Sequence, residues 1–111
     1  MTRDPGKAVQ VFDLLLELFG GGQHWHQGEF RDGRGSRCLV DALHHVRRRH
    51  RITGDGAGFY LRRAMPRPVE LARYNDECAR FIELQALIVL ARRMAEADKA
   101  SRPRPSATPT T

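Results

Sequence analysis

The chain has 111 residues, of which 41% are hydrophobic and 29% charged, and its formal net charge is +6. This length is typical of one domain with a modest core. The two cysteines, Cys38 and Cys78, exclude a disulfide framework and a C-x-x-C zinc pattern. The longest apolar run, residues 87–91, is far shorter than the roughly 20 residues that cross a bilayer, and the sequence MTRDPGK lacks the apolar stretch of a secretory signal. We therefore expect a cytoplasmic protein with reduced thiols and no membrane contact.

The first segment with helical periodicity covers residues 7–19, where apolar side chains recur at spacings of three and four. Asp4 and Pro5 precede it and suit an N-cap and a first helical turn. Glycines 20–22 follow it and predict its end. Residues 23–35 show no period, which predicts a long loop.

A second helix is predicted to begin after Ser36, because serine is a favoured N-cap residue. Its end carries the sequence RRRHR, and cations suit a helix C-terminus. After the turn ITGDGAG, Asp55 is predicted to cap a short third helix that Pro66 and Pro68 end. The inward faces of these two helices are predicted to consist of Leu39, Val40, Leu43 and Val46, and of Tyr60, Leu61, Ala64 and Met65.

The last helix is predicted to be the longest and to cover about residues 77–98. The segment PVELARY before it predicts one further helical turn that starts at Pro68, and Asn75 or Asp76 is expected to cap the long helix. Its apolar set is broad, which favours packing on more than one side. That set consists of Phe81, Ile82, Leu84, Leu87, Ile88, Val89, Leu90, Ala91 and Met94.

The fold predicted from these segments is all-α, because no stretch alternates as a strand does. We expect a single helical domain over residues 1–99, a bundle of four main helices with a long loop between helices 1 and 2. Residues 100–111 contain three prolines and no large apolar side chain, which predicts a disordered Pro/Thr-rich tail.

Motifs in the loop and before the last helix carry a family resemblance. The order W-x-Q-G, D-x-x-G, C-L-V-x-A-L and N-D resembles a bacterial and phage family, common in actinobacteria, called domain of unknown function 6197. The matching residues are Trp25, Gln27, Gly28, Asp32, Gly35, Cys38, Leu39, Val40, Ala42, Leu43, Asn75 and Asp76. Tyr74 stands where family members usually have tryptophan. The resemblance implies a shared fold and shared loop residues, with no activity attached.

Cys38 is the candidate nucleophile. If Ser36 is the cap, Cys38 lies in the first helical turn, where free amides and the helix dipole stabilise a thiolate. His24 or His26 from the preceding loop is the candidate base, and Asp76 or Asn75 would orient it. The hypothesis is a cysteine-dependent enzyme of specialised metabolism or peptide modification that uses Cys38, His26 and Asp76. The alternative is that Cys38 is a small buried apolar residue.

A metal site is a weaker interpretation of the same residues. His24 and His26 with Cys38 and Cys78 offer imidazole and thiolate ligands, but their spacing matches no familiar zinc pattern. We therefore expect no metal and no cofactor.

The positive charge is local. Between residues 44 and 67 Asp55 is the only acid, and this window alone has a net charge of +6. The arginines of this basic patch are Arg47, Arg48, Arg49, Arg51, Arg62, Arg63 and Arg67. The patch predicts either a solvated face or contact with nucleic-acid phosphates or an acidic protein.

The leading hypothesis is a small binding or regulatory module. It would engage a protein or small ligand through the 23–38 loop and the 74–77 segment, since loops on a rigid scaffold often carry function. The candidate ligand-binding residues are Trp25, Gln27, Tyr74, Asn75 and Asp76. This hypothesis requires the tryptophan loop to fold back against the start of the last helix.

Overall fold

The computed structural model describes residues 3–27 and 37–101. Over these ranges the chain forms five helices, α1 (Pro5–Phe19), α2 (Leu39–His50), α3 (Ala57–Ala64), α4 (Leu71–Glu77) and α5 (Phe81–Ser101). The predicted all-α class is confirmed. The β-type pairing within these ranges is limited to one isolated bridge between Trp25 and Arg37. The additional helix is α4, which the sequence predicted only as a single turn.

Helix α1 forms for the predicted reasons. The Asp4 carboxylate accepts a hydrogen bond from the Lys7 amide at 3.2 Å, and Pro5 occupies the first turn. At the other end, Gly20 has a φ of 61°, and its amide donates to the carbonyls of Leu16 and Glu17. Glycine adopts this positive φ without strain, so the helix ends there.

Helix α2 begins differently from the prediction. The N-cap is Cys38, whose Sγ accepts a hydrogen bond from the Asp41 amide at 3.5 Å. Cys38 therefore precedes the helix instead of lying in its first turn. The predicted cap, Ser36, lies outside the described residues. At the far end, Arg51 closes the helix in a left-handed conformation with a φ of 54°.

The prediction that Asn75 or Asp76 caps the last helix was wrong, because both residues lie in the last turn of α4. Helix α4 ends where the Cys78 amide donates to the Tyr74 carbonyl. Helix α5 begins at Phe81, later than expected, and the Glu83 carboxylate accepts the Ala79 amide at 3.0 Å just before it. Helix α5 also continues through Ser101 into the predicted tail, and residues 102–111 lie outside the described ranges.

The core lies between α5 and the helices α1 and α3, while α2 packs against α1 and α4. It buries most of the predicted apolar positions, with Phe12, Phe19, Leu39, Tyr60, Leu84 and Ile88 among the largest side chains. Ile82 and Leu90, which were predicted to face inward, are 58% and 41% exposed. The other helices therefore do not cover all of the apolar side chains of α5. No helix within the described ranges is long and apolar enough to cross a membrane.

The turn between α2 and α3 is built around the buried carboxylate of Asp55, which is 1% exposed. Arg47 donates two hydrogen bonds to it, at 3.0 and 2.9 Å, and the Ala57 amide donates a third at 2.8 Å. Burial by itself would raise the pKa of Asp55, but these hydrogen bonds and the charge of Arg47 lower it below its ordinary value. The predicted cap of α3 is displaced by one residue, since Gly56 holds the N-cap position while Asp55 accepts the first amide.

We expect Asp55→Ala to lower the free energy of unfolding by about 2–4 kcal/mol, because it leaves Arg47 and the Ala57 amide without their acceptor. A carboxylate with a lowered folded-state pKa stabilises the protein above its ordinary pKa, and this contribution is lost as the pH falls below about 4. Urea unfolding at several pH values should therefore show a difference between wild type and variant that shrinks in acid. Asp13→Ala, which removes a surface partner of Arg92, is the control with a small effect. Equal losses for the two variants would contradict this role of Asp55.

Candidate functional site

The side chain of Asn75 joins the tryptophan loop to two helices. Its Oδ1 accepts hydrogen bonds from Trp25 Nε1 at 2.7 Å and from the Leu39 amide at 3.0 Å. Its Nδ2 donates to the His26 carbonyl at 3.0 Å. Asn75 is fully buried, so the partners of this amide are all intramolecular. We call Trp25, His26, Leu39 and Asn75 the Asn75 clasp.

Gln27 extends this contact to the end of α4. Its Nε2 lies within hydrogen-bond distance of the carbonyls of Asn75, Asp76 and Cys78, at 3.0, 3.0 and 2.7 Å. The last carbonyls of a helix have no partner within the helix. Gln27 therefore caps the C-terminus of α4 from another part of the chain.

Two further contacts fix the loop. The Trp25 ring packs on Phe81, with ring centroids 5.7 Å apart. The His26 amide donates to the Arg37 carbonyl at 2.9 Å, and the Arg37 amide donates to the His24 carbonyl at 2.8 Å. These bonds hold the loop beside the start of α2.

The structure thus brings the loop and the 74–77 segment together, but with their polar groups turned toward each other. The indole N–H of Trp25 donates to Asn75. Tyr74 is half-buried, and burial followed by the nearby Cys78 and Glu83 raises its pKa. Gly28, Asp32 and Gly35 lie outside the described residues, as does the part of the loop that contains them.

The three residues of the proposed nucleophilic site are not joined by hydrogen bonds in the described part of the chain. Cys38 is half-buried, and its Sγ accepts the Asp41 amide. The Nε2 of His26 is buried and makes no hydrogen bond to a described residue. Asp76 is exposed and accepts a hydrogen bond from Asn75 Nδ2 at 3.3 Å. Among the described residues, no histidine is held by hydrogen bonds between a cysteine and a carboxylate, the arrangement typical of nucleophilic catalysis.

The remaining predicted ligand residues do not converge either. Cys78 is the buried C-cap residue of α4, and burial and then the charge of Glu83 raise the pKa of its thiol. Among the described residues, no group of three His, Cys, Asp or Glu side chains is arranged to hold a metal ion.

The basic patch divides into two groups. Arg47 is bound to Asp55, and Arg67 forms an ion pair with Glu77. The other five arginines are exposed and have no carboxylate partner among the described residues. We call these five arginines the basic face. Arg48 and Arg51, at the end of α2, line one groove together, while Arg49, also at the end of α2, and Arg62 and Arg63, on α3, line other cavities.

The electrostatic effect of these arginines is visible at His45. Burial, and then the positive charges of Arg37, Arg48 and Arg49, lower the pKa of His45. The imidazole is therefore mostly neutral at neutral pH.

A groove with a volume of about 780 Å³ lies beside the basic face, between the end of α2 and the start of α3. Its wall contains two residues that the sequence did not connect with the patch, Arg3 and Phe59. The Arg3 guanidinium lies 3.8 Å from the centre of the Phe59 ring. Other lining residues that matter below are Arg47, Arg48, Arg51 and Ile52. We call this cavity the arginine groove.

Gly56 lets Arg3 reach this position. A Cβ added at Gly56 would lie 2.3 Å from the Cβ of Arg3, and the φ of Gly56 is +75°. A backbone hydrogen bond also joins these two segments, since the Asp4 amide donates to the Gly54 carbonyl at 3.1 Å. No local pattern in the sequence indicates this pairing, because residues 3 and 56 are far apart along the chain.

Comparison with known proteins finds no matching family model, no match among curated proteins and no similar solved structure. The resemblance to domain of unknown function 6197 therefore stays a prediction from the motifs.

We expect Asn75→Ala to lower the free energy of unfolding by about 3 kcal/mol, because the Trp25 indole and the Leu39 amide lose a buried acceptor. Urea unfolding followed by the fluorescence of Trp25, the single tryptophan, measures the change. Gln10→Ala is the control, since Gln10 is an exposed amide on α1. A cost no larger than that of the control would show that the clasp contributes little to the fold.

We expect Cys38 to react with iodoacetamide faster than Cys78 at about pH 8, because Cys78 is buried and its raised pKa leaves less thiolate. Mass spectrometry of peptides over a time course measures both rates in one sample. Cys38→Ser provides the control in which only the slow reaction remains. Equal rates in the native protein would contradict the burial of Cys78, and they would also weigh against Cys38 as an activated nucleophile.

Proposed function

We propose that this protein is a cytoplasmic binding module without catalytic activity that holds a nucleic acid by its phosphates through the basic face. One observation carries the proposal. The five arginines of the basic face have no carboxylate partner among the described residues, while the only acid in the same segment, Asp55, is buried under Arg47.

The distribution of charge favours a partner with repeated negative groups. The basic face spans two helices, and the exposed His44 and His50 lie beside it on α2. Guanidinium groups bind phosphate oxygens with two parallel hydrogen bonds. Several such contacts release counterions from a nucleic acid, which supplies the free energy of binding.

The interpretation based on the 23–38 loop and the 74–77 segment receives less support. Trp25, Gln27 and Asn75 use their side-chain hydrogen-bonding groups within the protein. A ligand would have to break these bonds before it could use the same groups. In the proposal, the Asn75 clasp is structural and positions α2, which carries Arg48 and Arg49 of the basic face and is followed by Arg51.

The cysteine-dependent enzyme is likewise less supported than binding, because no hydrogen bond links Cys38, His26 and Asp76 as a reactive unit in the described part of the chain.

We expect an oligonucleotide to bind wild-type protein with an affinity that falls about 50-fold between about 50 and 200 mM salt, as four phosphate contacts predict. Fluorescence anisotropy at a series of salt concentrations measures the slope. The double variant Arg48→Gln, Arg51→Gln should bind more weakly and reduce the slope by roughly 1.5, since two contacts are lost. Arg93→Gln removes an exposed arginine from α5, outside the basic face, and should change neither quantity. No binding at the lowest salt, or the same slope for all three proteins, would overturn the proposal.

A further inference from the structure

The arginine groove contains a feature that phosphate contacts do not explain, an exposed aromatic ring. Phe59 is 38% exposed and lines the groove together with the apolar side chain of Ile52. Its ring contacts Tyr60 edge-on, with centroids 5.2 Å apart, and the Arg3 guanidinium lies over it. An apolar floor and a charged rim are thus combined in one cavity.

We infer, building on the proposed function, that the groove receives one unpaired nucleobase of the bound strand. The base stacks on the Arg3 guanidinium, which itself lies over the Phe59 ring, while Arg48 and Arg51 hold the adjoining phosphates. The protein therefore prefers a single strand to a duplex.

The chemistry of the lining fits this occupant. A nucleobase is flat, and both aromatic rings and guanidinium planes are stacking partners for it. Four arginines line the groove; Arg47 is paired with Asp55 and Arg3 with Asp98, while Arg48 and Arg51 have no carboxylate partner among the described residues. The net positive charge is therefore complementary to a phosphate attached to the base.

The shape of the groove supports the same occupant. Its volume of about 780 Å³ lies in the range of cavities that hold small organic ligands. At Gly54, one of the lining residues, an added Cβ would meet nothing within 4 Å. A paired base in a duplex is stacked between its neighbours and cannot enter such a cavity without being flipped out.

The test compares four unlabelled probes by isothermal titration calorimetry at low salt. They are an oligothymidylate of about ten nucleotides, a duplex of the same length, inorganic polyphosphate and a nucleoside monophosphate. Polyphosphate carries the charge without bases, and the monophosphate carries the same base and phosphate without a strand. We expect the oligothymidylate to bind most tightly.

Phe59→Leu should weaken binding of the oligothymidylate by about tenfold and leave polyphosphate binding unchanged, because leucine keeps the apolar volume but offers no ring face to hold the Arg3 guanidinium on which the base stacks. Phe59→Tyr keeps a ring and should bind as wild type does, which separates stacking from a folding defect. Ile82→Ala is the matched control, since it removes an exposed apolar side chain from α5, outside the groove.

The outcomes distinguish this inference from the proposed function. Strand binding that depends on Arg48 and Arg51 but not on Phe59, or equal affinity for duplex and single strand, overturns the base pocket and leaves phosphate binding intact. Failure of the strand, the duplex and polyphosphate to bind overturns both. Monophosphate binding that depends on Phe59 and matches the affinity of the strand would support the pocket and identify a free nucleotide as its occupant.

Discussion

The buried amide of Asn75 is the constraint on which the arrangement of the helices depends. One side chain accepts a hydrogen bond from the tryptophan loop and another from the first amide of α2, and it donates a third back to the loop. A buried polar group is tolerated only when its hydrogen bonds are made, so the amide fits a single arrangement of these segments. Because α2 starts at this point, the clasp also sets where its arginine-rich end lies.

The carboxylate of Asp55 has a comparable effect at the other end of α2. It neutralises the charge of Arg47, and it fixes the turn that contains Ile52 and leads into α3, where Phe59 lies. Both side chains line the arginine groove. The two buried polar side chains, Asn75 and Asp55, thus hold the two ends of one helix. Arg48 and Arg49, which follow Arg47 along this helix, are exposed to solvent.

Local signals were enough to predict the helical class, the start and end of α1, and the concentration of positive charge. Asp4, Pro5 and Gly20 act within one turn of the helix, so their effect can be inferred from spacing alone. The position of Asn75 could not be inferred in this way. Its residue type favours an N-cap, but a tertiary contact with Trp25 places it inside the end of α4. The cap of α2 was misplaced for a similar reason, since Asn75 accepts the Leu39 amide beside Cys38.

In the candidate site too, some features can be predicted from local sequence and others depend on tertiary contacts. The arginines of α2 and α3 are evident in the sequence, but their availability depends on which of them meets a carboxylate, as Arg47 and Arg67 do. The contribution of Arg3 depends on a contact across more than fifty positions of the chain. The absence of a side chain at Gly56 also makes two distant positions a single steric unit. Because the contact involves the Cβ of Arg3, a side chain at position 56 would displace residue 3 and move the guanidinium off the Phe59 ring, so homologous sequences that keep the groove are expected to keep glycine at position 56.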